Sequence, residues 1–380
     1  MSSGKKKQGL RFKLGDLSFE EFFYIFKQMK ILHTSDLHLR KEGDERWEAL
    51  QEIIEIGKKE RIDLLVISGD LFDREIDAEE LRGKIRGVFA DVEFKILIIP
   101  GNHDREVFKS GFYFGEVHVF RDLYQPFEYK NLKIWGFPFE PLEGKKIIAR
   151  LQSLEKYLNK DKVNILLYHG ELVDASFSRN DFGEEGEERY MPVKLSYFKN
   201  LKMDYVLSGH FHSKFEIWNL ENGGYFVYPG SPVSITKKEK GQRKVNLFEI
   251  GKPPEEYPIE TPHFEEVNIE FDPFVEKNPL EILKESLERV HKKAKIILRI
   301  GGYINSEKIK MNESKLVEQI NRIIEGKTEE AHIEFKDIHR IMEDPLFKNF
   351  IKKLEEKNYD EKKKKELWVF AIKAMIGAGV

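Results

Sequence analysis

Short apolar runs alternate with amphipathic stretches early in the chain, and this alternation constrains the fold more than any other feature. An apolar run at 31–33 is followed by a helix-like stretch from about 45 to 59 and a second apolar run at 62–68. A second helix-like stretch from about 77 to 91 then leads into a third apolar run at 94–100. Strands that alternate with helices form βαβ units, so the sequence predicts a largely parallel sheet.

Later apolar runs lie closer together and predict a second group of strands. The candidates are Leu132 to Gly136, Val163 to Tyr168, Met203 to Ser208, Phe215 to Trp218, Tyr225 to Tyr228 and Lys244 to Ile250. These later candidates are closely spaced and turn-linked by Asn222-Gly223-Gly224, so we expect them to be antiparallel, in a mixed or two-sheet arrangement. The fold class that we predict is α/β, with a two-sheet β-sandwich flanked by helices.

Side chains that bind metals follow the ends of the predicted strands. The clusters are Asp36 and His38, Asp70 and Asp73, Asn102 with His103 and Asp104, His169, and His210 with His212. These positions hold five of the eleven histidines in the chain. Open α/β sheets place their functional sites just beyond the carboxyl ends of parallel strands, so we expect these loops to converge.

The sequence SGHFH at 208–212 places two histidines on one side of an extended segment. Because side chains alternate along a strand, His210 and His212 point the same way while Phe211 points into the protein. Taken alone, such a pair is as often two ordinary polar residues at a strand end. Together with the other clusters it favours a shared role as metal ligands.

The donor set contains carboxylate, imidazole and carboxamide groups and no thiolate, because the chain has no cysteine. Such donors suit divalent manganese, and also iron, zinc or magnesium. Seven ligands exceed the need of one tetrahedral ion and suit two ions about 3.5 to 4 Å apart that share a carboxylate. Two such ions activate a water for in-line attack at phosphorus, so the pattern favours a phosphoesterase.

The charge balance argues against a self-sufficient nucleic-acid binder. Lys and Arg number 64 against 67 Asp and Glu, which gives a net charge of −3. A polyanionic substrate therefore needs local basic patches, the metals or a partner. The sequence shows no apolar run of membrane-spanning length and no export signal, which predicts a cytoplasmic protein with no membrane partner.

Shifts in composition divide the chain into five predicted parts. Residues 1–28 form a polar N-terminal extension, and residues 29–250 contain the metal-binding clusters. A proline-rich linker at 251–263 precedes a smaller α/β capping domain at 264–337. The last part, 338–380, has two helical segments, and its final helix is apolar around much of its circumference. That helix either packs on its own domain or docks a partner.

The five clusters occur in the order D-x-H, GD, GNH(D/E), H and GHxH, and in this the chain resembles the calcineurin-like metallophosphoesterase superfamily. The segments LHTSDLHL, DLLVISGDLFD, PGNHD and YPGS resemble those of the SbcD-type DNA repair exonucleases. The eukaryotic counterpart of these enzymes is the meiotic recombination eleven nuclease. The resemblance covers about residues 29 to 250. For the smaller module, which it implies to be a DNA-recognition cap, it rests on element order alone.

The resemblance implies a role for each clustered residue. It implies two ions with three ligands each and one bridging carboxylate: Asp36, His38 and His212 for the first ion, Asn102, His169 and His210 for the second, and Asp70 between them. His103 would stabilise the transition state or protonate the leaving oxygen. The alternative for His103 is that it only orients Asn102 or a metal.

The second cluster departs from the SbcD pattern. SbcD-type enzymes often read Gly-Asp-Leu-Phe-His, and here Asp73 stands in place of that histidine. The broader phosphoesterase pattern has this aspartate, which hydrogen-bonds the catalytic histidine and raises its pKa. Either Asp73 or Asp104 would then orient His103, and the sequence leaves the choice open. Arg40 and Arg105 flank the clusters and are candidates for contacts with substrate phosphates.

Three functions fit these features. The first is a manganese-dependent DNA exo- or endonuclease that processes double-strand-break ends as a homodimer, with an SbcC-type coiled-coil ABC ATPase docked on the C-terminal helices, as the resemblance implies. The second is a small-molecule phosphoesterase for cyclic nucleotides or nucleotide phosphates, with the C-terminal module as a lid. Asp73 and an acidic loop at 171–192 favour this second function. The third, a non-catalytic binding protein, is disfavoured because no ligand is missing.

Overall fold

The computed structural model describes residues 29–109, 115–175 and 190–378. The predicted N-terminal extension, 1–28, lies outside these ranges, as do the glutamates of the acidic loop at 184–188. Across the described ranges, no helix is both long and apolar enough to cross a lipid bilayer.

The described residues form sixteen strands and ten α-helices. The strands are β1 (Lys30–Thr34), β2 (Leu64–Ser68), β3 (Lys95–Ile99), β4 (Val117–Val119), β5 (Phe127–Tyr129), β6 (Leu132–Phe137), β7 (Val163–His169), β8 (Tyr205–Gly209), β9 (Glu216–Asn219), β10 (Tyr225–Tyr228), β11 (Lys244–Glu249), β12 (Glu256–Pro258), β13 (His263–Phe271), β14 (Ala294–Ile304), β15 (Thr328–Ile333) and β16 (Lys336–Asp337). The helices are α1 (Glu45–Glu60), α2 (Glu75–Ala90), α3 (Arg105–Lys109), α4 (Gly144–Leu154), α5 (Pro279–Glu288), α6 (Ser306–Ile309), α7 (Glu313–Ile324), α8 (His339–Glu343), α9 (Pro345–Glu355) and α10 (Glu361–Gly377).

The first sheet has the strand order β12-β11-β1-β2-β3-β4. Strands β1 to β4 are parallel, and β11 and β12 extend the sheet in antiparallel pairing. Helix α1 connects β1 to β2, and the carboxylate of Asp44 caps it by accepting from the backbone N–H groups of Arg46 and Trp47. Its apolar side packs on the sheet, as the predicted βαβ alternation requires.

The second sheet has the strand order β5-β6-β7-β8-β10-β9. Strands β6, β7, β8 and β10 are parallel. The predicted antiparallel pair across the Asn222-Gly223-Gly224 turn is confirmed, because β9 and β10 pair in this way. For the pairs β6–β7, β7–β8 and β8–β10 the antiparallel prediction is wrong, because each connection returns the chain to the same end of the sheet before the next strand begins.

The two sheets face each other across a shared apolar core. Residues from both meet there, among them Ile31, Val66 and Leu97 of the first sheet and Ile165 and Leu207 of the second. Helices α1 and α2 cover the outer face of the first sheet, and α4 covers that of the second. The predicted two-sheet α/β sandwich flanked by helices is therefore confirmed.

A third, smaller sheet contains the parallel strands β13, β14 and β15, with β16 paired to β14. Helices α5 and α7 bury Leu283, Leu316 and Ile320 against it. The stretch 251–263, which we expected to be a linker, contains β12 and therefore contributes an edge strand to the first sheet. Pro258 is tolerated there because the outer side of an edge strand needs no backbone donor.

The last three helices, α8 to α10, form a cluster of their own. In α10, Trp368, Ile372 and Met375 are buried, and the Trp368 ring lies 4.9 Å from that of Phe274 between ring centroids. Much of the apolar circumference of the final helix thus packs against its own chain. Phe370 of the same helix is 73% exposed.

Candidate metal centre

The predicted clusters meet at one edge of the sandwich. The loops after β1, β2 and β3 bring in residues from the first sheet, and the ends of β7 and β8 bring in residues from the second. His169 Nε2 lies 3.2 Å from Asp70 Oδ2, so the two sheets contact each other directly through these side chains. The loops therefore converge at the carboxyl ends of parallel strands, as expected.

Asp36, His38 and His212 form the first group of ligand atoms, and all three side chains are buried. The Nε2 atoms of His38 and His212 lie 3.3 Å apart, and His212 Nε2 is 3.6 Å from Asp36 Oδ1. Three donor atoms that face one another within 4.8 Å make a pocket of the size that one cation fills.

A second group lies beside the first and consists of Asp70, His169, Asn102 and His210. His169 Nε2 is 2.9 Å from Asn102 Oδ1, and the ring centroids of His169 and His210 are 5.4 Å apart. Asp70 Oδ2 is also 3.8 Å from His38 Nε2 of the first group, so this carboxylate lies between the two groups. Asp36 likewise comes within 4.8 Å of the ligand atoms of Asp70 and His169.

Four of the seven candidate ligands have left-handed backbone conformations. The φ angles are 55° at Asp36, 48° at His38, 52° at Asp70 and 92° at His210. Residues with a side chain rarely adopt positive φ, and such strain concentrates at functional sites. Backbone hydrogen bonds hold it in place, since the N–H of Asp36 donates to Gly69 O at 3.1 Å and that of His38 to Asp70 O at 2.9 Å.

Two glycines allow the loops to approach the ligands closely. A Cβ atom on Gly69, whose φ is 95°, would lie 2.1 Å from His169 Nδ1. A Cβ atom on Gly101 would lie 2.1 Å from Asp70 Oδ1. Real Cβ atoms do not approach so closely, so both positions need glycine for the centre to assemble.

The tautomer of His169 is set by a backbone carbonyl. Its Nδ1 lies 2.8 Å from Ser68 O and donates its proton there, which directs Nε2 at Asp70 and Asn102. A metal-binding histidine commonly donates its second N–H in this way, so that the other nitrogen presents a lone pair to the ion.

The buried carboxylates draw positive charge into the site. Burial opposes ionisation of Asp36, but the interaction with His212 outweighs it and lowers the pKa of Asp36 to about 2. Burial also opposes ionisation of Asp70, and His169 outweighs it, so the pKa of Asp70 is well below its ordinary value. Burial favours the neutral form of His169, yet Asp70 outweighs it and raises the pKa of His169 to about 9. A divalent cation that displaces such protons satisfies the same carboxylates.

The residues fit two divalent cations. Asp70 Oδ2 is fully buried and, within the described residues, has no hydrogen-bond partner that meets ordinary geometry. Two imidazole nitrogens also point at each other at 3.3 Å, in His38 and His212. Buried polar atoms of this kind are costly unless a ligand pairs with them, and an oxygen and nitrogen donor set suits manganese, iron or zinc.

His103 lies at the rim of the centre and is partly exposed. Its ring centroid is 4.6 Å from that of His38, and its backbone N–H donates to Asp70 Oδ1 at 2.9 Å. Its Nδ1 lies 3.0 Å from the backbone carbonyl oxygen of Asp73 and donates to it. The acceptor therefore belongs to Asp73, but it is the carbonyl and not the expected carboxylate.

The carboxylate of Asp73 accepts hydrogen bonds from two arginines. It accepts from Arg40 Nε at 2.9 Å and Arg46 Nη1 at 3.2 Å, and it is 3.5 Å from His38 Nδ1. Burial raises the pKa of Asp73, but His38 and Arg40 outweigh it and hold the pKa well below its ordinary value. Two guanidinium groups hold this carboxylate, and one of its oxygens also lies within 4.8 Å of ring nitrogens of His38 and His103.

Asp104 ties two ligand loops together. Its buried carboxylate accepts from the backbone N–H groups of Leu71 at 2.7 Å, Phe72 at 3.3 Å and Gly101 at 2.8 Å. Burial and the charge of Asp70 raise the pKa of Asp104 to about 7. These contacts make Asp104 a support for the two loops, and its role in orienting His103 stays a prediction.

The two candidate phosphate-binding arginines line different cavities. Arg40 borders a cleft of 640 Å³ that Lys295 of the third sheet also lines. Arg105 pairs with Glu106 at 2.9 Å and borders a pocket with Phe108. Arg40 and Arg105 therefore do not line one common cavity.

Three buried or half-buried charged residues near the centre were missed by sequence reasoning. Arg46 donates to the carbonyl oxygen of His38 at 2.6 Å. Glu239 lies 3.7 Å from His212, and Arg243 donates to the carbonyl oxygen of Ser213 at 2.9 Å. None follows a predicted strand end, and their charge alone is typical of a solvated surface.

The domain with this centre is a calcineurin-like phosphoesterase domain. Residues 29–214, which include all seven candidate ligands, match the family model described as calcineurin-like phosphoesterase.

Two characterised relatives are similar to the chain in sequence. The D component of the nuclease SbcCD from Staphylococcus epidermidis is 28% identical over 253 residues, which cover 57% of this chain and 64% of the relative. DNA double-strand break repair protein Mre11 of Saccharolobus solfataricus is 25% identical over 232 residues, which cover 56% of each. The chain thus spans about three fifths of the length of these relatives. The crystal structure of TT1561 of Thermus thermophilus is similar with a TM-score of 0.43 and 16% identity, over 61% of this chain and 99% of that one.

Proposed function

We propose that the chain is a two-metal phosphodiesterase that cuts DNA and processes double-strand-break ends. The observation that supports this most is the assembly of seven ligand side chains from five strand ends into two adjoining groups. His103 stands beside them, at 4.6 Å from His38 between ring centroids. A non-catalytic binding protein has no need for this complete arrangement.

The residues that would hold the ions are those of the two groups. In this proposal they are Asp36, His38 and His212 for one ion, Asn102, His169 and His210 for the other, and Asp70 for both. We propose manganese as the ion, because the set contains oxygen and nitrogen donors and no sulfur. When bound, such ions act as Lewis acids and lower the pKa of a water that attacks phosphorus.

His103 is the proposed general acid. The Asp73 carbonyl oxygen holds the proton of His103 on Nδ1, so protonation of Nε2 makes an imidazolium that donates to the leaving oxygen. Arg40 and Arg46 hold the Asp73 carboxylate, and this fixes the loop that carries the carbonyl group. Asp73 thus positions His103 through its backbone.

DNA as the substrate is supported by the names of the relatives and by the cleft beside the centre. Its basic side chains come from both the sandwich and the third sheet: Arg40, Lys41, Arg46, Arg74 and Lys295. Four carboxylates line the cleft too, and Arg74 and Lys295 pair with Asp77 and Glu45. Arg40 and Lys41 are exposed and follow the loop of Asp36 and His38 directly, and they are the proposed phosphate contacts.

We propose separate roles for the two C-terminal parts of the chain. Residues 264–337 are the capping domain that contacts DNA, and the helices of 338–380 dock an SbcC-type coiled-coil ABC ATPase. A homodimer in the cytoplasm would double the contacts along DNA, and the partner would supply positive surface that a net charge of −3 does not provide.

Two substrates offered to the manganese-loaded protein test this function. We expect degradation of an end-labelled linear duplex and hydrolysis of bis-p-nitrophenyl phosphate, with two metal ions per chain by elemental analysis. Hydrolysis of the small diester without any DNA degradation, alone or with the ATPase, would instead indicate the small-molecule phosphoesterase. Fewer than two bound ions would contradict the two-metal centre.

A further inference from the structure

The segment 231–243, which follows β10, contains two buried charged residues that the proposed chemistry does not use. Glu239 is fully buried and Arg243 is 2% exposed. Charged side chains are almost never buried without a specific pairing, so each is expected to bind specific partners in this segment.

Glu239 shapes its own loop. Its carboxylate accepts from Ser231 Oγ at 2.9 Å and from the backbone N–H of Ile235 at 2.8 Å. The other carboxylate oxygen accepts from Thr236, both from Oγ1 at 3.2 Å and from the backbone N–H at 3.3 Å. These four bonds fix the carboxylate in one orientation.

Arg243 holds the backbone on which His212 lies. Its guanidinium donates to the carbonyl oxygen of Ser213 at 2.9 Å, to that of Ser231 at 2.9 Å, and to that of His212. A planar group with five N–H donors suits several carbonyl oxygens in one plane. The main chain after the GHFH motif is therefore fixed, and the angle of the His212 ring remains to be set.

The two nitrogens of His212 face different surroundings. Nε2 points at Asp36 and His38 in the candidate metal centre, at 3.6 and 3.3 Å. Nδ1 is buried, has no hydrogen-bond partner within the described residues, and lies 3.7 Å from Glu239 Oε1. The fixed carboxylate is thus the acceptor placed for the N–H on the side of the ring away from the metal.

We propose that Glu239 is a positioning residue for His212: it accepts from Nδ1–H and so presents Nε2 to the metal ion. The proposal rests on the proposed metal centre. A carboxylate behind a histidine ligand fixes its tautomer and ring angle, and its loss weakens metal binding about 10- to 100-fold.

The test compares two variants of the full chain by calorimetric titration with Mn²⁺. In Glu239→Gln the side chain keeps its size and one oxygen for the loop, and we expect one of the two sites to weaken about 10- to 100-fold. In Thr236→Val the loop loses a hydroxyl bond to Glu239 while the carboxylate stays beside His212. We expect both sites of this control to keep the wild-type affinity within about 2-fold, because the group behind His212 is unchanged.

A spectroscopic measurement on the wild-type protein separates ring positioning from a general effect of charge. In the Zn²⁺-loaded protein, nitrogen NMR of His212 is expected to show a protonated Nδ1 in a hydrogen bond and a metal-bound Nε2. The opposite tautomer would overturn the proposal, even if Glu239→Gln failed to fold.

The outcomes distinguish this proposal from the function on which it rests. If the wild-type protein binds no ions, both are wrong. If it binds two ions and Glu239→Gln binds them with unchanged affinity, only the role of Glu239 is wrong. Equal weakening in Glu239→Gln and Thr236→Val would likewise reduce Glu239 to a structural part of the loop.

Discussion

At the scale of single residues, a substitution of His103 tests whether this residue acts in catalysis or in metal binding. Its link to Asp70 is a backbone N–H, which a substitution retains. We therefore expect His103→Gln to lower kcat on bis-p-nitrophenyl phosphate about 100- to 10,000-fold while two ions per chain remain bound. Steady-state kinetics and elemental analysis measure the two effects. Loss of an ion together with activity would show that His103 supports the ligands instead.

Gly101 tests how tightly the loops are packed. Gly101→Ala places a Cβ atom 2.1 Å from Asp70 Oδ1, so we expect the carboxylate to shift and Mn²⁺ affinity to fall at least tenfold by calorimetry. Gly83 in α2 is the matched control, because its Cβ atom would meet nothing within 4 Å. Gly83→Ala is expected to keep metal binding and raise the free energy of unfolding by about 0.5–1 kcal/mol. Equal affinities in both variants would contradict the steric argument.

His33 predicts a pH dependence of stability. It is fully buried in β1, and burial lowers its pKa from 6.5 to about 3 despite the opposing charge of Asp36. Below pH 6.5 the unfolded chain therefore binds a proton that the folded chain does not, so stability falls from about pH 6.5 toward pH 3.

The variant His33→Leu removes this contribution. We expect its free energy of unfolding to decline less on acidification than that of the wild type, by up to about 1.4 kcal/mol per pH unit. Urea unfolding of the metal-free proteins at about pH 7.5 and about pH 5, on either side of the ordinary histidine pKa, gives the comparison. Identical declines would show that His33 is protonated in the folded state as well.

Most of the candidate ligands could be predicted from the sequence, because each follows a strand end within a few residues. His210 and His212 needed only the period of a strand to be placed on one side. Glu239 could not be predicted in this way, since it reaches His212 across a loop whose path depends on tertiary contacts. The bond from His103 to the Asp73 carbonyl oxygen could not be predicted either, and neither could the bond from Arg46 of α1 to the Asp73 carboxylate, because both depend on how the loops pack.

At the scale of elements, closeness along the chain predicted only some of the strand pairings. It predicted the β9–β10 hairpin, where a short turn dictates antiparallel pairing. It did not predict the parallel pairing of β8 with β10, for which β9 must lie at the sheet edge. Strand β12 was not predicted, because its prolines indicated a linker. Prolines are also compatible with an edge strand.

Helix α10 offers a paired test of packing and docking. Trp368 is 9% exposed and Phe370 is 73% exposed. We expect Trp368→Ala to lower the free energy of unfolding by about 3–5 kcal/mol, and Phe370→Ala to change it by about 0.5 kcal/mol or less.

Co-purification with the proposed ATPase tests the role of the exposed residue. Because Phe370 is exposed on the final helix, Phe370→Ala is expected to weaken co-purification with the ATPase without loss of folding. Unchanged co-purification would place the docking surface elsewhere.

At the scale of the whole molecule, the start of the third sheet is bonded to the segment that contains Glu239. Thr261 Oγ1 donates to Pro232 O at 2.6 Å, and the N–H of Gly241 donates to Phe264 O at 2.7 Å. The N–H of Ser234 also donates to Pro262 O at 3.3 Å. The residues 261–264, at the start of β13, therefore hold the segment 231–243.

Truncation tests this dependence. A chain that ends at residue 250 loses these bonds, and we expect a lower Tm and weaker Mn²⁺ binding, because the loop of Glu239 is released. A chain that ends at residue 337 keeps the bonds and is expected to bind Mn²⁺ as the full chain does. Equal affinity in both truncations would show that the segment holds its shape unaided.

The parallel strands also leave the opposite edge of the sandwich without ligands. Turns at that edge, such as Gly223 between β9 and β10 and Lys130 before β6, carry no part of the metal centre. Gly223 has a φ of 88°, which residues with a side chain rarely adopt, so a label at this turn belongs on an inserted residue and not on a substituted one. Because exposed loop tips tolerate insertions, these turns are attachment points for fluorophores or surface tethers that leave the seven ligands undisturbed. Immobilisation there would present the metal centre to solution in a single orientation.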